Sequence, residues 1–294
     1  MHIATNTHIL VPEFDYLEPT TVGEATSLLA QYGENARLMA GGTDLLVQMK
    51  MERRQPEYLI ALNKIPSLNK ISQIGGVEIG ATASIHSLYQ SPLIRENYTA
   101  LAEGCNWFST IQIMVMGTIG GNLCNASPAS DTAPCLLVFD AQVKLASASG
   151  ERVVALEEYF VAPGKTILRA DEMLVSILLS PAPLPPGSAF IKITRVVADI
   201  SKVCAAVKIE RDGNIVRDCR IALGSVAPTP VRARRAEFAL IGETFTTELA
   251  ERASQIAAQE IKPISDVRST REYRQQVAAV IVRDALMKAW ERAQ

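Results

Sequence analysis

The stretch that most constrains this chain runs from Gly117 to Asp140, GTIGGNLCNASPASDTAPCLLVFD. Paired glycines, Gly120 and Gly121, are followed by Asn122, Asn125, Ser127, Ser130 and Asp131, and then by the apolar run Leu136–Phe139. The small residues run too long for a two-residue turn. They end at a helix start with Asp131 as the expected N-cap. Glycine lacks a Cβ, so its backbone can approach a ligand closely or take a positive φ. Successive free N–H groups ahead of a helix make an anion-binding concavity. The hydroxyls and amides beside them suit a polyhydroxylated ligand.

A second stretch of the same kind lies upstream, RLMAGGTDLLVQMK from Arg37 to Lys50. Ala40, Gly41, Gly42 and Thr43 again precede an apolar run. Either loop alone is equally readable as a structural turn. Together, two such loops can grip one diphosphate from two sides. On this reading Gly41 and Gly121 accept a larger residue without loss of fold but with loss of the ligand.

A chain of 294 residues, 48% hydrophobic, has room for two or three subdomains and a substantial core. Its net charge of −2 gives no basic field, which argues against nucleic acid as a partner. No apolar run approaches the roughly 18 residues of a membrane span. MHIATNTHILVPEFDYL has neither a basic nor an apolar signal region, so a cytoplasmic location is expected. Cys105, Cys124, Cys135, Cys204 and Cys219 show no CxxC spacing. Reduced, mostly buried thiols are expected, with no cluster or zinc site in this chain. His2, His8 and His86 never cluster, so no metal is expected.

Along the chain, Thr21-Val22-Gly23-Glu24 reads as a capping box for a helix that Gly33 ends. Arg37–Ala40 is a short strand feeding the first glycine loop, and Thr43 or Asp44 caps the helix after it. Strands are expected at Tyr58–Leu62, Val77–Ala83 and Met173–Leu179, a hairpin at Gln142–Ala146 and Arg152–Leu156, and a helix over Pro92–Phe108. The elements mix without regular βαβ alternation, which reads as α+β. Pro181–Gly187 is the best linker candidate. Beyond it come strands at Phe190–Arg195, Val203–Glu210 and Ile215–Val226, with Val203, Ala205, Val207 and Ile209 on one face. Helices are expected at Pro230–Leu240, Thr247–Glu260 and Ser269–Trp290, the last opened by a Ser269-x-x-Glu272 box. Arg232–Arg235 reads as a solvated helix face. The expected domains are 1–180, in two subdomains of about 1–57 and 58–180, and 188–294. No GxSxG, HExxH or Walker lysine motif is present, which fits a subunit whose reactive atoms belong to a cofactor.

AGGTDLLVQMK followed by TIGGNLCNASPASDTAP resembles the FAD-binding subunit of the molybdenum hydroxylases. That family includes xanthine dehydrogenases, aerobic carbon monoxide dehydrogenase, and hydroxylases of aromatic and heterocyclic compounds. The resemblance covers nearly the whole chain. It implies a two-subdomain FAD-binding module (PCMH-like), followed by a C-terminal domain of three strands and three helices. Relatives that reduce aromatic acyl-CoA thioesters carry an inserted cluster-binding loop, which this chain lacks.

The resemblance also implies roles. Leu38, Met39, Ala40, Gly41, Gly42, Thr43, Asp44 and Leu45 would wrap the FAD diphosphate. Gly117, Thr118, Gly121 and Asn122 would bind it from the other side, with Asn125, Ser127, Ser130 and Asp131 at the ribityl and diphosphate region. Phe108 and Ile113 would lie towards the adenosine, and Leu174 over the adenine. Lys192, in the segment Lys192–Ile200, would contact the flavin. Some relatives have an acidic residue near Ala198, which leaves the electron acceptor open. No catalytic residue or metal is expected in this chain. With no histidine near either motif, FAD would be held non-covalently. Molybdopterin and iron–sulfur clusters would sit on two partner subunits, and NAD+ is a possible acceptor. A stand-alone FAD-dependent oxidoreductase and a non-catalytic nucleotide-binding scaffold are the other readings.

Overall fold

The computed structural model describes residues 13–181, 187–196 and 198–293. In chain order, β1 is Asp15–Leu17, α1 Val22–Tyr32, β2 Ala36–Met39, α2 Leu45–Lys50, β3 Tyr58–Ala61, β4 Ile71–Gln73 and β5 Val77–Gly80. Six helices follow: α3 Ile85–Gln90, α4 Pro92–Asn97, α5 Thr99–Asn106, α6 Ile111–Met116, α7 Ile119–Asn125 and α8 Thr132–Val138. Next come β6 Gln142–Ser147, β7 Gly150–Ala155, α9 Leu156–Tyr159, β8 Phe160–Ala162, β9 Lys165–Thr166 and β10 Met173–Leu179. The last group is β11 Gly187–Ile193, β12 Val203–Asp212, β13 Ile215–Gly224, β14 Val231–Arg232, α10 Arg234–Phe238, α11 Thr247–Glu260 and α12 Arg271–Arg292.

Among the described residues, three sheets carry the architecture. A parallel sheet has the order β1-β3-β2, with Tyr58 opposite both Asp15 and Ala36. An antiparallel sheet runs β4-β5-β10-β6-β7, and another runs β11-β12-β13-β14. The small β8–β9 ribbon stands apart. The fold is α+β, as the irregular alternation of the sequence implies. A two-residue fourth strand, β14, extends the expected three of the C-terminal sheet.

The sequence pattern understates how the C-terminal sheet is buried. Val203, Ala205, Val207 and Ile209 do share one face, packed under α11 and α12. The alternate residues Cys204 and Ala206 are equally buried, joining Phe190 and Ala222 in the core around α5 and α8. Small apolar residues on both faces let helices approach from both sides. A third core gathers α1, β2 and β3 over Ala146 and Met173.

Tertiary contacts also redraw several boundaries. The helix expected over Pro92–Phe108 breaks at Tyr98 (φ −134°, ψ 53°). The Tyr98 hydroxyl donates to Ser180 O at 2.9 Å and its ring packs edge-on to Phe139. The strand at Val77 stops at Gly80, not Ala83. Pro230–Leu240 is not one helix: Val231–Arg232 pairs with β13, and only Arg234–Phe238 is helical. The solvated helix face expected of Arg232–Arg235 is found only at the exposed Arg234 and Arg235 of α10. Arg232 is buried, bidentate to Glu237 at 2.5 and 2.8 Å and paired with Asp140 at 2.7 Å, while Arg234 pairs with Glu157. Thr270, not Ser269, caps α12, accepting from Tyr273 N at 3.2 Å. At α1, Thr21 Oγ1 accepts from Glu24 N, but the Glu24 carboxylate turns to Thr20 N and Oγ1 instead of closing the box on Thr21. Most of the Pro181–Gly187 linker candidate lies outside the described residues.

Glu103 on α5 fastens the C-terminal elements. Its carboxylate accepts from Lys288 and Arg292 of α12, both at 2.8 Å, and from the Phe190 amide of β11 at 2.8 Å. Burial raises the Glu103 pKa, but the bonds from Arg292, Lys288 and the Phe190 amide outweigh it and hold it below the ordinary range. A depressed folded-state pKa stabilises the fold above the unfolded value and loses that contribution as pH falls through the folded one. Glu103→Ala is expected to cost about 2–3 kcal/mol, read from the urea midpoint at neutral pH. The gap between variant and wild type should close on acidification through the carboxylate range. A gap that persists at low pH would contradict an ionic role.

Candidate functional site

The two glycine loops meet in space. β2 delivers Ala40–Asp44 to the C-terminal end of the parallel sheet, and α6–α7 bring Gly117–Asn125 against it. Gly41 sets the junction. A Cβ built there would lie 1.7 Å from the carbonyl oxygen of Met116. Across the same junction, Asn125 Nδ2 donates to Asp44 Oδ1 at 3.1 Å, and Gln48 Nε2 to Asn125 Oδ1 at 3.5 Å. Gly42 sits at φ +71°, a left-handed turn that points the chain into α2.

Between the loops and the segment 164–174 lies a cleft of about 700 Å³, within the range of cofactor-sized sites. Its lining includes Leu38, Met39, Ala40, Gly41, Gly42, Thr43, Asp44, Leu45, Phe108, Gly117, Thr118, Gly121, Asn122, Asn125 and Leu174. The first loop is an open donor set. The backbone amides of Gly41, Gly42, Thr43, Asp44 and Leu45 have no acceptor among the described residues. The second loop is mostly spent internally. Ile119 N donates to Ala83 O, Gly120 N to Ala81 O, and Gly121 N to Thr118 Oγ1 at 3.1 Å. What that loop offers is side chains. Asn122 Oδ1 accepts from Ser130 Oγ and Thr132 Oγ1, both at 2.6 Å, which leaves its Nδ2 for the cleft.

Five of the residues singled out from sequence lie outside the cleft lining. Ile113 is on the solvent side of α6. Ser127 Oγ accepts from Ala129 N, shaping the turn. Ser130, besides holding Asn122, accepts from Ala133 N at 3.2 Å and so caps α8 in the place expected of Asp131. Asp131 does not cap. Its Oδ2 takes a buried ammonium, Lys192 Nζ, at 2.7 Å, and Lys192 also donates to Trp107 O at 2.9 Å. Asp131 Oδ1 finds no partner among the described residues. Burial raises the Asp131 pKa despite the opposing pull of Lys192.

Sequence reasoning missed a cationic wall. Arg37, Arg54, Lys165 and Arg169 also line the cleft. Arg37 Nη1 donates to Glu34 O and Ala36 O, and burial followed by the nearby charge of Arg54 lowers its pKa. Arg37 adjoins the loop in sequence and was findable. Lys165 and Arg169 come from the β8–β9 ribbon and the segment after it, which carry no motif. Asp44 is pushed up by burial.

Free amides on one side, guanidinium groups on the wall and an apolar floor of Leu38, Leu62, Phe108 and Leu174 suit a diphosphate joined to flat rings. The two glycines are not equivalent. Gly41→Val forces the loops apart, so it should lower the thermal midpoint as well as removing the ligand. At Gly121 an added Cβ is crowded only by Thr118 Oγ1, at 2.8 Å, a hydroxyl that can rotate away. Gly121→Ala should weaken that cap by about 1 kcal/mol and leave the fold intact, shifting the midpoint by about 2–4 °C. An unchanged midpoint for Gly41→Val would contradict the junction. Asn125→Asp puts a second carboxylate against Asp44. Ligand affinity should fall at least ~10-fold and partly recover as pH drops and the pair takes up a proton, measured by fluorescence titration.

The family description "FAD binding domain in molybdopterin dehydrogenase" matches residues 12–182, and "CO dehydrogenase flavoprotein C-terminal domain" matches 188–289. The chain is 34% identical to the carbon monoxide dehydrogenase medium chain of Hydrogenophaga pseudoflava, covering 97% of this chain and 99% of that one. It is 28% identical to the xanthine dehydrogenase FAD-binding subunit of Escherichia coli O157:H7, over 93% and 95% of the two chains. Among solved structures, carbon monoxide dehydrogenase from Hydrogenophaga pseudoflava superposes with a TM-score of 0.93 at 35% identity, covering 97% of this chain and all of that one. Quinoline 2-oxidoreductase from Pseudomonas putida 86 gives 0.91 at 26% identity, with the same coverage. With both family models matched along the chain, it belongs to the FAD-binding medium-subunit family of the molybdenum hydroxylases.

Proposed function

We propose that this chain is the FAD-bearing electron-transfer subunit of a molybdenum hydroxylase complex. Electrons would arrive from iron–sulfur clusters on one partner, after substrate oxidation at molybdopterin on another. They would leave for NAD+ or another two-electron acceptor. FAD suits this place because it exchanges electrons singly or in pairs. One observation carries the reading: the unpartnered amides of Gly41–Leu45 face a cleft whose walls carry Arg37, Arg54, Lys165 and Arg169.

The roles of this chain's residues follow. The amides from Gly41 to Leu45 would hold the diphosphate oxygens, and the guanidinium groups would offset their charge. Thr118 and Asn122 would orient the cofactor from the second loop. Phe108, Leu62 and Leu174 would exclude water from its rings. Asp131, Ser127, Ser130, Ile113 and Lys192 would act from behind the lining. Asp131 and Lys192 would fix the position of Trp107 beside Phe108 through the Lys192–Trp107 bond. The same reading assigns 1–180 to the cofactor and 188–294 to a second domain, supported by the matches to 12–182 and 188–289. A cytoplasmic location is part of it, supported by five free cysteines. Among the described residues no helix is long and apolar enough to cross a membrane.

The purified chain is expected to be yellow, with all flavin released into the supernatant by acid precipitation. Isolated from its native source, it should co-purify with an iron-containing and a molybdenum-containing chain. Purines, aldehydes and aromatic acids should reduce its flavin only in that complex. Flavin retained in the acid pellet, or substrate-dependent flavin reduction in the single chain, would sink the reading.

A further inference from the structure

One wall of the cleft is held by a side chain that lies outside the cleft. Glu172 lines the cleft just before β10, and its side chain is 4% exposed. Both of its carboxylate oxygens are occupied. Oε1 accepts from Arg152 Nε at 2.7 Å, and Oε2 accepts from Arg152 Nη2 and from the Arg169 amide, both at 2.9 Å. Arg152 Nη2 also donates to Ile167 O at 3.4 Å. Arg152 itself stands on the edge strand β7, two strands from β10, and is not part of the lining. The segment that these bonds hold, 165–172, carries two cations of the wall, Lys165 and Arg169. Backbone bonds from Gly164 N to Ala126 O and from Ile167 N to Tyr159 O, both at 3.0 Å, fix its first half.

The pairing resolves a conflict of charge. A carboxylate on the wall of a diphosphate cleft repels the ligand unless a cation answers it. Arg169 does not: its Nε lies 4.0 Å from Glu172 Oε1, and its side chain is 70% exposed. Arg152 does, through the two parallel bonds that a guanidinium makes with a carboxylate. Its bond holds the Glu172 carboxyl below the ordinary range, so the group is ionised and paired at neutral pH. Asp44, elsewhere in the lining, is instead shifted by burial towards its neutral form. With Glu172 satisfied from behind, Arg169 and the exposed Lys165 are left to face an anionic ligand. The comparable pair Arg232–Glu237 joins elements away from the cleft.

We propose that Arg152 is a positioning residue for cofactor binding: from outside the cleft it neutralises Glu172 and fixes the segment 165–172, so that Lys165 and Arg169 face the cofactor's phosphates. This rests on the function proposed above. Arg152→Gln should bind FAD at least ~10-fold more weakly, measured by fluorescence titration of the flavin-free chain. Adding Glu172→Gln to that variant should bring affinity back to within about 3-fold of wild type. The stranded carboxylate is then gone, and an amide oxygen still accepts from the Arg169 amide. A clamp with no electrostatic role predicts the opposite, a double variant no better than the single one. That result, or a single variant that binds FAD as wild type does, would overturn the proposal. If Arg152→Gln does not fold, the wild-type chain decides. Acetic anhydride should label Lys165 several-fold more slowly with FAD bound than without, read by peptide mass spectrometry. Equal labelling in a chain that does bind FAD would overturn the proposal and leave the functional reading standing. A wild-type chain that takes up no FAD would overturn that reading, and the role of Arg152 with it.

Discussion

The contact between the α-carbon of Gly41 and the carbonyl of Met116 is the one on which the cleft depends. It lets two backbone segments, distant in sequence, lie against each other with no side chain between. β2 is fixed by its parallel pairing to β3, and Gly42 at positive φ turns the loop after it into α2. The first loop then keeps its amides free while the second spends its own on Ala81, Ala83 and Thr118. One loop is thus a donor surface and the other its rigid support.

The C-terminal sheet gives that support its backing. Its two faces are buried against different helices, so β11–β13 act as a shared wall rather than a solvent-facing layer. Glu103 ties α12 and β11 to α5. The buried Lys192–Asp131 pair ties β11 to the residues just before α8. A buried ion pair stabilises little by itself, since desolvation offsets most of the attraction. Its value here is positional, because Lys192 also holds the Trp107 carbonyl next to Phe108 in the cleft wall.

Much was legible where the determinants are local. The strand–glycine loop–helix from Ala36 to Lys50, the β6–β7 hairpin and the helix Thr247–Glu260 lie where period and turns place them, but neither Thr43 nor Asp44 caps α2, since Asp44 Oδ1 accepts from Asn125 instead. Misreadings fall where a distant partner decides. Tyr98 breaks a helix to reach Ser180 and Phe139. Arg232 leaves a helix to meet Glu237 and Asp140. Asp131 gives up a cap to pair with Lys192. In each case one strong tertiary contact outweighs the fraction of a kcal/mol per residue by which propensity prefers the alternative.

What the sequence by itself determined is the pair of glycine loops and the α+β order of elements. Those follow from residue type and spacing, because a missing Cβ, a capping hydroxyl and an apolar period act within a few residues. Only the tertiary structure decided that the loops abut, that one offers amides and the other side chains, and that Arg54, Lys165 and Arg169 join the wall. Those facts depend on which distant groups satisfy a hydrogen bond or fill a space first, and no local spacing encodes that competition.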